Sequence, residues 1–173
     1  MHLAYTMAPG RGDTDLLLAG LAGGLIARGL RLCGTVQINT ERTPCGPCDM
    51  DVRVLPDGPV LRISQDLGQH ARGCRLDPAA LQTAVGLVET RLGAGTDLLI
   101  INKFGKHEAE GRGFRDLIAR AMEFGVPVLV GVNGLNRTAF EDFASGLATP
   151  LPPEQDALVK WAERAVRRIT VPV

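Results

Sequence analysis

Residues 97–113 read Asp-Leu-Leu-Ile-Ile-Asn-Lys-Phe-Gly-Lys-His-Glu-Ala-Glu-Gly-Arg-Gly. Residues 98–101 form an apolar run without alternation. That is the pattern of a strand covered on both faces, as in a parallel sheet. From Asn102 onward the chain turns densely polar. In open parallel sheets, ligands bind beyond the carboxyl ends of the strands, so this abrupt change marks a candidate site as well as a strand end.

The same reading extends outward. Val126–Val132 and residues 2–7 are further buried strands, and 31–38 is another. Helical patterns separate them. The first runs from about 14 to 28, capped by Asp13 or Thr14 and closed by Gly29. Asp77-Pro78 opens a second that reaches about Leu92, with Asp as N-cap and Pro in the first turn. Residues 112–124, 136–145 and 153–168 carry the remaining amphipathic patterns. Residues 49–54 and 60–64 flank Pro56-Asp57-Gly58 and read as a hairpin. Strands alternating with helices predict one α/β domain over 1–173 with a mainly parallel sheet, and a β-hairpin and loop insertion at about 45–76.

Composition bounds the function. The chain has 173 residues, with 19 Lys plus Arg against 19 Asp plus Glu. Zero net charge argues against nucleic acid as a partner. Aromatics at 4% give little material for base stacking. Hydrophobic residues at 45% support a sizeable core. The longest uncharged apolar run, Leu16–Ala27, is too short to span a bilayer, so no membrane insertion is expected. The start lacks the charged region of a signal peptide, and a cytoplasmic location with reduced thiols is expected. Self-association into a homo-oligomer stays open.

Three stretches carry candidate chemistry. The first is Ala8-Pro9-Gly10-Arg11-Gly12-Asp13-Thr14, between the first strand and the first helix. Strand, glycine turn and helix together present backbone N–H groups and a positive helix end to an anion. The full nucleotide pattern is G-x-x-x-x-G-K-[ST]. Here Met7 stands at the first glycine and Asp13 at the lysine, which makes a degenerate Walker A. Thr14 keeps a hydroxyl for Mg²⁺. A carboxylate at the lysine position repels phosphates, so Mg-NTP fits this turn less well than a small anion or a plain structural turn.

The second stretch is 102–113. Lys103, Lys106 and Arg112 suit an anion, and Glu108 is the candidate acid or base should the protein be an enzyme. Nucleoside triphosphatases hold Mg²⁺ with an acid at this strand end, where Asn102 is a neutral amide. A salt-bridged loop is the bland alternative. His107 reads as a surface residue. The third stretch joins Ser64 and Gln65 to Arg72 and Arg75, again suiting a small oxyanion beside a helix start, or a basic loop paired with nearby aspartates.

Cys45-Gly-Pro-Cys48 has redox or metal spacing. It runs into a strand-like segment rather than a helix, which disfavours redox chemistry. Cys45, Cys48, His70 and Cys74 fall within thirty residues and could hold Zn; free loop thiols are the alternative. Cys33 reads as a core residue.

Four motifs carry a resemblance: Cys-Asp-Met-Asp-Val-Arg (48–53), Ile-Ser-Gln-Asp-Leu-Gly (63–68), Ala-Arg-Gly-Cys-Arg-Leu-Asp-Pro (71–78) and the stretch 102–113. Together they resemble a bacterial domain-of-unknown-function family often labelled a molybdenum ABC transporter ATPase. That family looks like a divergent relative of P-loop nucleoside triphosphatases and kinases. The resemblance implies a three-layer, P-loop-NTPase-like sheet. The relatives' Asp-Glu-Ile-Gly-Lys-Met-Glu aligns with Asn102–Glu108: Gly105, Lys106 and Glu108 match, and Asn102 and Lys103 replace both acids. The molybdenum label implies an oxyanion context and assigns no residues.

Three readings follow. One is a non-hydrolytic binder of a small oxyanion, molybdate or tungstate, serving molybdenum homeostasis. Its residues would be Gly10, Arg11, Gly12, Asp13, Thr14, Ser64, Gln65, Arg72, Arg75, Asn102, Lys103, Lys106 and Arg112. The second is a nucleotide enzyme using Thr14 and Glu108. The third is a regulatory interaction module without a ligand.

Overall fold

The computed structural model describes residues 2–40, 49–65 and 75–170. Its strands are β1 (Leu3–Thr6), β2 (Leu32–Thr40), β3 (Asp49–Val54), β4 (Val60–Arg62), β5 (Leu98–Phe104), β6 (Val128–Val132) and β7 (Ala148–Leu151). They share one sheet in the order β4-β3-β2-β5-β6-β1-β7. The pairs β2–β5, β5–β6, β6–β1 and β1–β7 are parallel. Among the described strands only β3 runs against the rest, pairing antiparallel with both β2 and β4. The fold is thus α/β with a mainly parallel sheet, and the hairpin extends one edge.

The helices are α1 (Asp13–Ala27), α2 (Pro78–Glu89), α3 (Lys106–Ala109), α4 (Arg115–Glu123), α5 (Arg137–Ala144) and α6 (Gln155–Thr170), with a 3₁₀ turn at Gly134–Asn136. They cover both faces of the sheet. Leu18, Leu21 and Leu25 of α1 pack with Leu158 and Ala162 of α6 against Ala4, Leu98, Ile100 and Leu129. On the other face, Leu81, Val85 and Val88 of α2, Leu117 and Ile118 of α4 and Phe140 of α5 pack against Leu99, Ile101, Val128 and Val130. Alternate residues of β5 serve opposite faces. That is why the run 98–101 is apolar without interruption.

Four boundaries differ from the sequence expectations. First, β5 does not stop at Ile101 but continues through Phe104, because Phe104 is fully buried and pairs with Val132 beyond a register shift. Second, α1 is capped neither by Asp13 nor by Thr14. Its N-cap is Gly12, at φ 84, with no side-chain cap. That left-handed conformation favours glycine. Third, residues 112–124 are not one helix: α4 begins only at Arg115, and the separate turn α3 precedes it. Fourth, β7 is an unexpected strand. Its sequence Ala-Thr-Pro-Leu is short and half-exposed, and its proline sits on a strand at the sheet's edge among the described residues, where an N–H for a further strand is not required. Asp77 caps α2 as its sequence implies, accepting from the N–H groups of Ala79 (2.9 Å) and Ala80 (3.1 Å).

Candidate functional site

The carboxyl ends of β1, β5 and β6 lie side by side and open into a cleft of about 460 Å³. Its walls are the turn from Met7 to Gly12, then Thr14 and Asp15 of α1, Lys103 of β5, and Gly131–Gly134 beyond β6. Local chemistry shapes the turn. The Ala8 N–H donates to the Thr14 hydroxyl at 2.9 Å, tying the start of the turn to the first turn of α1. The Gly12 carbonyl accepts the first helical bond, from Leu16 N–H at 3.1 Å. No side chain caps α1 as Asp77 caps α2, and the Asp13 N–H donates instead to the Gly10 carbonyl at 3.3 Å. Gly131 is the close approach in the floor: a Cβ there would stand 2.8 Å from Leu18 Cδ1 and 3.1 Å from Thr14 Cγ2.

A buried polar trio forms one wall. Asp15 is 4% exposed and so is Asn102. The Asn102 amide donates from Nδ2 to Asp15 Oδ1 at 2.8 Å. Lys103 Nζ stands 3.8 Å from the same oxygen, with its side chain 36% exposed. Consecutive strand residues normally face opposite sides of a sheet. The register shift between Ile101 and Phe104 lets both Asn102 and Lys103 turn toward α1. Asn102 Oδ1 is buried and has no hydrogen-bond partner among the described residues. Asp13 is exposed, and its carboxylate lies over Gly10, where a Cβ would collide with it.

Of the residues singled out by sequence, the structure therefore brings Gly10, Arg11, Gly12, Thr14 and Lys103 to the cleft wall, with Asn102 behind it and Asp13 at the turn. Others lie elsewhere. Ser64 and Gln65 belong to the hairpin side of the sheet, with three strands between the hairpin and β1. The Ser64 hydroxyl accepts from Met50 N–H, and Arg75 donates to the Gln65 carbonyl and pairs with Asp49. Lys106 and Arg112 both pair with Glu110 in solvent, away from the cleft.

Glu108 is placed as a staple, not as a cleft base. It is 3% exposed, and its two carboxylate oxygens accept from Gly105 N–H at 2.9 Å and Phe114 N–H at 3.1 Å. Arg72 and the set Cys45, Cys48, His70 and Cys74 lie outside the described residues. Among the described residues no group of three or more His, Cys, Asp or Glu is arranged to hold a metal ion. Burial pushes the Cys33 thiol up to about 11, consistent with a core residue.

Sequence reasoning overlooked Asp15. Asn133 and Gly134 fall within 131–136, a strand end where the parallel-sheet rule expects ligands, and they do line the cleft. Asp15 reads locally as an ordinary polar position in the first turn of a helix.

The sheet order and the two helical layers make a P-loop-NTPase-like α/β fold, with the cleft at the β1–α1 turn. Two solved structures share the fold. A human cancer-related nucleoside triphosphatase superposes with a TM-score of 0.66 at 18% identity, covering 98% of this chain and 97% of that one. THEP1 from Aquifex aeolicus superposes with a TM-score of 0.66 at 17% identity, covering 99% and 100%. The chain belongs to the family described as protein of unknown function (DUF2478), whose model matches residues 3–161. It is also 38% identical over 149 residues to the molybdenum import ATP-binding protein ModC 2 of Bradyrhizobium diazoefficiens. That match takes in 86% of this chain but only 17% of the relative's length. Among the described residues no helix is long and apolar enough to cross a membrane.

Proposed function

We propose that the chain is a non-hydrolytic binding module for a small oxyanion of the molybdate or tungstate class, held at the β1–α1 turn. The observation that carries this reading is the pairing of a cationic wall with an uncapped helix start. Lys103 faces a cleft whose other wall is the Gly10–Gly12 turn and the start of α1. A glycine turn leading into a helix start without a side-chain cap, with a cation across the cleft, suits a compact anion. Arg11 adds charge at the rim.

Two features weigh against hydrolysis. The strand-end position that carries an acid in nucleoside triphosphatases is Asn102, a neutral amide without the negative charge that holds Mg²⁺, and its NH₂ donates to Asp15. Glu108, the nearest candidate base by sequence, is locked by two backbone N–H groups. Asp13 weighs against polyphosphate. Near an anion it costs a few kcal/mol per unit charge in a semi-polar site, a smaller total for a dianion than for a nucleoside triphosphate. The name of the 38%-identical relative supports a molybdenum context. In that relative the matching stretch is a small part of a longer chain, which fits a module working alongside ATP-binding transport machinery.

A nucleotide enzyme is the second reading, because the Thr14 hydroxyl stands on the cleft wall where it would meet Mg²⁺. One set of measurements separates the two. Isothermal titration with molybdate, tungstate, sulfate and phosphate should give heat with the first two. Phosphate release from Mg-ATP and Mg-GTP should stay at the buffer rate. No heat from any oxyanion, or sustained release, would overturn the proposal.

A further inference from the structure

We infer that Lys103 supplies, from the end of β5, the cation that the β1–α1 turn lacks at Asp13, and that Asp15 is the positioning residue holding that cation at the cleft wall. The inference rests on the oxyanion reading above and assigns its charge. Position 13 is where a glycine turn of this type places its lysine, and here it carries an exposed carboxylate. Lys103 occupies the place of a strand-end acid and reaches the cleft. Asp13 lies at the turn over Gly10 beside the cleft, and the lysine of the cleft wall comes instead from β5.

The buried trio explains how this arrangement is tolerated. A buried carboxylate needs both a charge partner and hydrogen bonds to satisfy its oxygens. Asp15 receives the Asn102 amide at 2.8 Å and faces Lys103 Nζ at 3.8 Å. An acid at 102 would place two carboxylates against one lysine and draw its charge away from the cleft. The neutral amide avoids this. It steadies Asp15 without competing for the ammonium. The 3.8 Å separation is longer than a direct hydrogen bond, so the ammonium keeps donors for a ligand. Its partial exposure leaves it within reach of the cleft.

The inference makes positions 13 and 103 interchangeable in charge. The test is a tungstate titration of wild type, Lys103→Met, Asp13→Lys, the double variant Asp13→Lys/Lys103→Met, Asp15→Asn and Asp15→Asn/Lys103→Met. Lys103→Met should lose about tenfold in affinity, the scale of one charge-assisted contact. Asp13→Lys should bind more tightly than wild type, and the Asp13→Lys/Lys103→Met protein should recover most of the loss. Asp15→Asn should weaken binding while Lys103 is present and add nothing once Lys103 is gone, because its role runs through the ammonium. A merely structural aspartate would give additive losses. Positions 13 and 103 both reach solvent, so their variants should fold even where Asp15→Asn does not. Wild type binding tungstate with Lys103→Met unchanged would overturn this inference alone, as would failure of Asp13→Lys to rescue. Wild type silent to tungstate would overturn the oxyanion reading and this inference together.

Discussion

Residues 102–113 looked like one charged segment, and the fold divides it in two. Asn102, Lys103 and Glu108 turn inward. Lys106, Glu110 and Arg112 pair among themselves in solvent. The division follows from β5 running on to Phe104. Strand register and its shift carry Asn102 and Lys103 toward α1, while the short turn of α3 throws Lys106 outward. Charge density in a sequence therefore marks a sheet edge, and backbone geometry decides which of those charges share a site.

That comparison can be broken by substitution. The largest effect should come from Glu108→Ala. It strips the acceptor from two backbone N–H groups, one of them buried, and should cost about 3 kcal/mol in denaturant unfolding. Glu110→Ala, two residues on, should stay within about 0.5 kcal/mol, because its ion pairs are exposed. Equal losses at both positions would erase the division. Glu108→Gln, in whatever fraction folds, should bind tungstate as wild type does, since Glu108 holds the loop rather than the ligand.

Next in size, Lys103→Met should weaken tungstate binding about tenfold, whereas Lys106→Met and Arg112→Met should each change it less than about twofold at moderate salt. A matching loss at Lys106 would move the site outward along the segment.

A second contrast lies at two helix starts. Asp77 caps α2 with its side chain, and α1 begins at Gly12 with none. Asp77→Ala should lower stability by about 1 kcal/mol, with tungstate affinity unchanged. The α1 start should behave oppositely, with bound tungstate raising the melting temperature.

The smallest effect concerns pH, at the opposite end of the sheet. A hydrogen bond from Arg31 holds the Asp97 carboxyl below its ordinary value. A lowered folded-state pKa gives stability that is present above the unfolded value of about 4 and fades as pH falls through the folded one. Asp97→Asn should remove a few tenths of a kcal/mol near neutrality and flatten the acid limb of the unfolding curve in that window. An unchanged limb would mean that Arg31 does not hold this group.

Much of the fold is legible in the sequence because its signals are local. The apolar runs of β5 and β6, the Asp77-Pro78 cap and the Pro56-Asp57-Gly58 turn each declare themselves within a few residues. The misses are equally physical. β7 is four half-exposed residues with a proline, and it is a strand only because β1 offers an edge. The end of β5 is set by Phe104 reaching Val132, a tertiary contact.

The site was legible in part. The glycine turn and Lys103 stand out by composition and by place at strand ends. Asp15 does not, since its partner Asn102 lies 87 positions away in sequence. Ser64, Gln65 and Arg75 drew attention as anion ligands by chemistry alone. The sheet order then puts β2, β5 and β6 between their hairpin and β1.

The most direct test of the central claim is a map of backbone amide shifts by NMR as tungstate is added to the 18.4 kDa protein. The account predicts saturable shifts concentrated at Gly10, Gly12, Asp13, Thr14 and Lys103, with Lys106–Arg112 and the hairpin unmoved. Shifts centred on Lys106–Arg112, or none at saturating tungstate, would contradict it.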